Sequence, residues 1–586
     1  MQEKYTFNLQ DIYTSDLEWE KDYKKLENDF SLAEFKGKLS MKESFLACSQ
    51  KQEKVSRVLD KLYVYAMLKH DKDTTCSASD ALMSRVMTLA VKISADSAFI
   101  SPELSSLKTS TIKEYIKDKN LKDYDYFLKC LLKEKAHILS EKEEKLLAMG
   151  QDALSNYKEI FNKIDDADLP LKPFKYKGKI INMSHGGYGE AMHDSDRNFR
   201  KAYFKKYYDA YISLASTITA TYYGNVKKGV FLAKVRGYNS VLEKALSSED
   251  VDSKVYYNLL EQTNKNVKLL HKYMKIKKKE SGYKNFHMYD VYASTISGGE
   301  LKLDYDKAYD LVLEGLAPLG KEYVEILKTA RDGRWIDVEE TKGKRSGAYS
   351  VCVYDTHPYV LLNYKKTTHD IFTIAHEMGH SIHSMYSNKT QPYAKADYKI
   401  FVAEVASTVN EVLLHKHLLK LAKTKKEKKY LLSYLLEMIR TTLFRQTQFA
   451  EFEEFTHNAV FNGEPLTKDI LCQKYLEINK KYYGKSVVCD KEISYEWSRI
   501  PHFYRAFYVY KYATGIISAL AIAQRIMQEG DVAVKDYIKF LSSGGSDSPV
   551  ELLKLAGVDL TKKTPFISAF KVFEEALNSY QDIDKE

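Results

Sequence analysis

The chain has 586 residues, 44% apolar and 29% charged, a balance that excludes a disordered chain and supports more than one hydrophobic core. Only 25 glycines and 10 prolines punctuate it, so long helices are expected and an all-β architecture is excluded. The net charge is +10, but lysines alternate with glutamates in stretches such as SEKEEK (140–145), the pattern of a solvated surface.

The densest basic run, Lys275 to Lys279, ends in Glu280 and lacks interleaved aromatics, so no nucleic-acid partner is expected. Six cysteines without a CxxC pair suggest neither a disulfide framework nor a thiolate metal site. The opening MQEKYTFNLQDIY has no basic segment followed by an apolar run, and nowhere do 18 apolar residues stand together. The expectation is a soluble cytoplasmic protein with no membrane partner.

Residues 1 to about 165 read as successive amphipathic helices. Ser15 precedes an acidic first turn, and Ser140 with Glu143 three residues on forms a helix-start pattern. Around residues 166–190 short alternating runs with Gly186 and Gly187 indicate a small β element and a lobe boundary. The expected division is an N-terminal helical lobe, 1–190, and a catalytic region, 191–586. Helical periodicity returns from about 194 to 330, broken at ISGGEL (296–301). Between Asp332 and Tyr364, SVCVY and YVLLNY suggest a small sheet; helices follow from Thr367.

HEMGH, His376 to His380, lies where apolar residues at 371, 374, 375, 378 and 382 follow helical spacing. Residues four apart share a helix face, so both imidazoles can hold one Zn²⁺, and Glu377, one step round, can reach a water on that metal and take its proton. A metzincin would need a histidine six residues beyond His380, where Tyr386 stands. Downstream, IFVAEVASTVNEVLL predicts another amphipathic helix with Glu404 and Glu411 nearly on one face. Glu404 is the natural third ligand, leaving a fourth position for water, and Glu411 would accept a ligand histidine's other ring N–H. His383, on the face of His376, is expected on the cleft wall.

In WSRIPHFYRAFYVYKYATG (497–515), Pro501 suits a first helical position, and the helix it opens would present Arg505, Tyr508 and Tyr512 on one face with His502 one step round. A phenol or imidazole can donate to the oxyanion of peptide hydrolysis, so Tyr508, Tyr512 and His502 are candidates, with Arg505 as a substrate contact. GKRSGAYS (343–350), with Gly347, Ala348 and Tyr349, permits close substrate approach, and YVLLNY (359–364) reads as an exposed strand edge able to bind an extended peptide.

HEMGHSIHSMYS, IFVAEVASTVNE, GKRSGAYS and WSRIPHFYRAFYVYKYATG match, in type and order, the thimet oligopeptidase family of zinc metallopeptidases, and the opening YTFNLQDIYTSDLEWEKD extends the resemblance over essentially the whole chain. The resemblance implies a mainly α, two-lobed ellipsoid with a deep channel, its active site at the floor, and short unstructured peptides as substrates. It implies that His376, His380 and Glu404 bind one zinc, that Glu377 is the base, and that the His502 region stabilises the oxyanion. The family places a tyrosine five residues after that histidine, whereas position 507 is Phe; an offset of one makes Tyr508 the equivalent.

The function these readings support is a zinc-dependent endopeptidase acting on short peptides. The alternatives are a zinc carboxypeptidase of similar helical fold and a non-catalytic peptide-binding scaffold; the intact Glu377 beside both histidines argues against the scaffold. Cobalt or manganese could occupy the same ligands.

Overall fold

A computed structural model describes residues 3–296 and 298–585, so Ser297 of the ISGGEL stretch lies outside the described residues. The protein is mainly α, 73% helix and 4% strand. The chain divides into two compact units, each assembled from three segments: Met1–Ala136, Glu300–Leu421 and Ser518–Asp559 in the first, His137–Gly299, Ala422–Ile517 and Leu560–Glu586 in the second. The pattern break at 166–190 falls inside the second unit, as the hairpin β1 (Phe174–Tyr176) and β2 (Lys179–Ile181). That unit also pairs β3 (Phe286–His287) with the late strand Val487–Val488.

The first unit holds a three-stranded sheet of β4 (Ile336–Glu339), β5 (Tyr349–Cys352) and β6 (Pro358–Tyr364), in the order β4-β6-β5, with β4 parallel and β5 antiparallel to β6. Here the structure corrects an expectation. YVLLNY is the central strand, paired on both sides, and the edge beside it is β5. Its unbroken apolar run is what burial on both faces demands. Tyr359 and Leu361 join Trp19, Leu62 and Tyr65 in a core built with the N-terminal helices, where the Trp19 indole N–H donates to the Leu62 carbonyl at 2.9 Å.

The helix carrying HEMGH runs Thr368–Thr390. Lys366, at φ 63°, turns the chain out of β6, and Thr367 and Asp370 cap the helix reciprocally, Asp370 accepting from the Thr367 N–H at 2.8 Å. The second expected helix is Ile400–Leu421. The start pattern at Ser140 and Glu143 is a capping box in the structure.

In the second unit the helix Lys425–Ile439 continues through a π-turn, Arg440–Phe444, into Arg445–Phe461. The unbroken helix expected after Pro501 is not there. Pro501 opens a short 3₁₀ turn, Pro501–Tyr504, and a regular helix begins only at Tyr510, running to Glu529. Phe507, at φ 53°, is left-handed, which no helix accommodates.

Glu496, with its side chain 2% exposed, holds this unit together electrostatically. It accepts from Arg445 at 2.7 Å, Arg499 at 2.9 Å and the Tyr475 hydroxyl at 2.5 Å. Burial alone would raise its carboxyl; the two guanidiniums and the phenol outweigh that and hold it at about 2. A depressed carboxyl stabilises the fold above its ordinary titration range and loses that contribution as pH falls toward the native value, here on the order of 3 kcal/mol. Urea unfolding of the wild type should therefore weaken steeply between about pH 5 and pH 2. Glu496→Gln should be less stable at neutrality, by ~3 kcal/mol for an unpaired buried charge, with a flatter acid limb.

Candidate active site

The site starts from a steric fact. A Cβ added at Gly379 would meet the Ser407 Cα at 2.5 Å and the Ala406 carbonyl oxygen at 2.8 Å, so the HEMGH helix and Ile400–Leu421 touch backbone to backbone. The buried Asn410 bridges them, its amide donating to the Ala375 carbonyl at 2.9 Å while its oxygen accepts from the Tyr323 hydroxyl at 2.8 Å. Sequence reading missed both Gly379 and Asn410; a glycine in mid-helix was the available signal.

This contact brings Glu404 and Glu411 to the histidines. His376 Nε2 and His380 Nε2 lie 3.2 Å apart, and Glu404 Oε2 is 3.4 Å from the first and 3.6 Å from the second. Glu411 accepts from His376 Nδ1 at 2.5 Å, which fixes the tautomer with the Nε2 lone pair facing the other two donors. His380 is hydrogen-bonded to the backbone of Ala403. A tetrahedral zinc with bonds of about 2.05 Å separates its ligands by about 3.3 Å, so two imidazole nitrogens and one carboxylate oxygen at these spacings fit that ion in number, type and distance. The surroundings favour positive charge. Burial would lower the His376 imidazole, but Glu404 and Glu411 outweigh it and hold its affinity for a proton well above the ordinary range. Burial and the neighbouring His376 push His380 down to about 4.

Glu377, 7% exposed, sits beside this triangle. Burial raises its carboxyl to about 7; His376 opposes the shift, Glu404 and Glu411 add to it, and a hydrogen bond from the Ser350 backbone opposes it again. That bond reveals the direction of β5: Ser350 turns its main chain away from β6, toward Glu377, and its hydroxyl meets that of Ser381 at 2.8 Å.

The expected substrate contacts fall in different places. Gly347, at φ 87°, has open space where a Cβ would be. With Ala348 it lines a pocket of about 280 Å³ bounded also by Asn363, His369 and Thr373. Tyr349 faces the core side, its hydroxyl donating to Asp71 at 2.9 Å. His383 is corrected: it is 1% exposed, stacked on Tyr398 at 3.7 Å, and burial holds it neutral at about 3. Seven residues are about 10.5 Å of helix, so sharing a face with His376 does not bring it to the same centre.

In the second unit, His502, Arg505, Tyr508 and Tyr512 do form a cluster, without the continuous helix expected to gather them. The Tyr508 and Tyr512 rings lie 5.5 Å apart, each about equally far from His502 at 6.0 and 5.9 Å. The Arg505 guanidinium lies over Tyr508 at 4.1 Å, and the Tyr512 hydroxyl meets His502 Nε2 at 3.4 Å. Phe507 is buried, so it is Tyr508 that reaches the surface. A further acidic group, Asp165 and Asp166 with His185, differs from the first unit's triangle in that its imidazole is already engaged by Tyr207 and the Asp165 carbonyl.

Comparisons with known proteins give the chain a family. The chain matches the profile of Peptidase family M3 over residues 191–572 and that of Oligopeptidase F over residues 103–170. It is 41% identical to the oligopeptidase PepF of Bacillus subtilis over 99% of this chain and 87% of that protein. A crystal structure from Chlamydophila abortus, whose peptidase assignment is provisional, superposes with a TM-score of 0.94 at 36% identity, covering 100% of this chain and 99% of that one. Oligoendopeptidase-F from Enterococcus faecium superposes with a TM-score of 0.75 at 34% identity, over 97% and 100%. The family and the names of these relatives indicate a metalloendopeptidase. The chain belongs to peptidase family M3, in its oligoendopeptidase F branch. No helix among the described residues is long and apolar enough to cross a membrane.

Gly379→Ala tests the steric basis of the site. The added methyl has only backbone to displace, so stability should fall by about 1–3 kcal/mol. Glu404 should also be carried away from the histidines, read as metal content below stoichiometry by elemental analysis. A fully metallated variant with an unchanged Tm would refute the account.

Proposed function

We propose that the protein is a zinc-dependent endopeptidase that cuts short, unstructured oligopeptides, with His376, His380 and Glu404 as zinc ligands and Glu377 as general base. One observation carries the reading: two imidazole nitrogens and a carboxylate oxygen converge at 3.2 to 3.6 Å with a buried glutamate beside them. Bound there, Zn²⁺ would supply Lewis-acid chemistry, acidifying a water and polarising the scissile carbonyl. Glu377, with its proton affinity near neutrality at about 7, is suited both to take the proton of the attacking water and to pass it to the leaving amine. Glu411 orients His376 and raises its basicity, and the Ala403 backbone does the orienting for His380.

Main-chain recognition of substrate falls to β5, whose side away from β6 carries Ser350 and, by the two-residue period, Ala348. A peptide laid there in extended form is held by its backbone, which suits tolerance of many side chains. Gly347 and Ala348 line the adjoining pocket. The oxyanion is assigned to donors from Tyr508, Tyr512 and His502, on the motif they share with the family and on the clustering of two phenols and an imidazole. The oligopeptidase names of the relatives point to short peptides.

A quenched peptide of about ten residues, blocked at both ends, should be cut internally, lose cleavage on chelation and regain it with zinc. Glu377→Gln should keep one zinc per chain and lose turnover by about 10²-fold or more. Turnover near wild type in that variant would remove Glu377 from its role. Cleavage that appears only when the C-terminus is unblocked would favour a carboxypeptidase.

A further inference from the structure

The loop that carries Tyr508 contains an unexplained conformation. Phe507 is left-handed at φ 53°, a region an aromatic L-residue adopts only when its surroundings impose it. Two contacts do so. Its ring is buried between Tyr256 at 5.8 Å and His457 at 5.0 Å, and its backbone N–H donates to Glu453 Oε1 at 3.0 Å. Glu453 belongs to the helix Arg445–Phe461 and is 0% exposed. The same helix grips the start of the loop, where Phe503 packs on Phe449 and Phe452 at 5.4 and 5.3 Å. Asn225 donates to the Phe503 carbonyl at 3.3 Å.

A buried carboxyl whose donor among the described residues is one backbone amide is an expensive way to satisfy one N–H. Its second oxygen, Oε2, is buried with no hydrogen-bond partner among the described residues, and burial pushes the acid's proton affinity well above the ordinary range. Burial thus favours the neutral acid, in which Oε1 still accepts the Phe507 N–H. What it accepts from is Phe507, whose left-handed backbone lies between the 3₁₀ turn and the helix starting at Tyr510 and directly precedes Tyr508. Tyr508 lies under Arg505 and beside Tyr512.

We propose that Glu453 is a positioning residue: by accepting the Phe507 N–H it holds the left-handed turn that presents Tyr508 beside Tyr512 and His502. The inference rests on the assignment of Tyr508 to the oxyanion. With the acceptor removed, the buried N–H is left unpaired and the strained φ unopposed, so the turn relaxes and the phenol leaves its place.

The test compares kcat, KM and zinc content in Glu453→Leu, Glu453→Gln, Tyr508→Phe and the Glu453→Leu/Tyr508→Phe double variant. Glu453→Leu should lose about 10–100-fold in kcat with zinc retained, the scale of a catalytic group displaced by an ångström. Glu453→Gln, whose amide oxygen can still accept, should stay within about threefold of wild type. The double variant should be no slower than Tyr508→Phe, because the two substitutions remove one contribution. Wild-type kcat in Glu453→Leu, an equal loss in Glu453→Gln, or losses that multiply in the double variant would each overturn the proposal. Wild-type kcat in Tyr508→Phe would instead overturn the oxyanion assignment itself. If Glu453→Leu does not fold, hydrogen exchange of the wild type decides: the Phe507 amide should be protected like the Arg445–Phe461 helix, and fast exchange there would refute the bond.

Discussion

The site depends on two helices meeting without side chains between them. Helices ordinarily pack 8–10 Å apart, a distance set by the residues at the contact. At Gly379 there is no side chain, and opposite stand Ala406 and Ser407, so the approach stops only at the Ser407 backbone. Only then do Glu404 and Glu411, on one helix, meet His376 and His380 on the other within hydrogen-bonding and ligand distances. Asn410 locks the pair with a buried amide that no apolar residue could replace. The sheet behind fixes the rest: β6 is buried on both faces, and β5 lies along the motif helix through Ser350 and Ser381.

Three carboxylates within one small volume would repel one another, and the structure separates them by partner. Glu411 is committed to a ring N–H. Glu404 faces both Nε2 atoms and also accepts, at 3.5 Å, from Ser407. Glu377, the most buried of the three, is pushed up to about 7, whereas His376 and His380 outweigh burial and hold Glu404 below the usual carboxylate range. Chemically similar side chains thus come to differ in proton affinity through burial and neighbours, the physical basis for giving them different tasks.

Much of this was legible in the sequence because it rests on local rules. Helical periodicity places the motif mid-helix, and the seven-residue spacing of Glu404 and Glu411 survives intact in the structure. The failures have identifiable causes. A run such as YVLLNY marks a strand but not its place in the sheet; its lack of polar alternation pointed to burial on both faces, against the edge reading. Aromatic periodicity after Pro501 imitates a helix, and nothing about a phenylalanine announces φ 53°, because the residues Phe507 meets, Glu453, Tyr256 and His457, are far away in sequence. His383 shares a face with His376, yet a face is long, and its environment is an aromatic stack.

On the proposed reading, the strand order bears on selectivity. An edge strand offers unpaired main-chain groups to any extended chain, which is why exposed edges invite aggregation. Here the edge is only four residues long, Tyr349–Cys352, and it lies along the motif helix, with a left-handed glycine opening a pocket at its start. So short an edge is a poor template for a second sheet. It can still align one extended peptide, because hydrogen bonds to alternate residues need only a few positions. Ser350 ties the strand to the motif helix, since its main chain reaches Glu377 while its neighbour Tyr349 is anchored to Asp71 on the core side. On the proposed reading, a substrate held through its backbone beside Glu377 would have the scissile bond, rather than any particular side chain, as its point of registration.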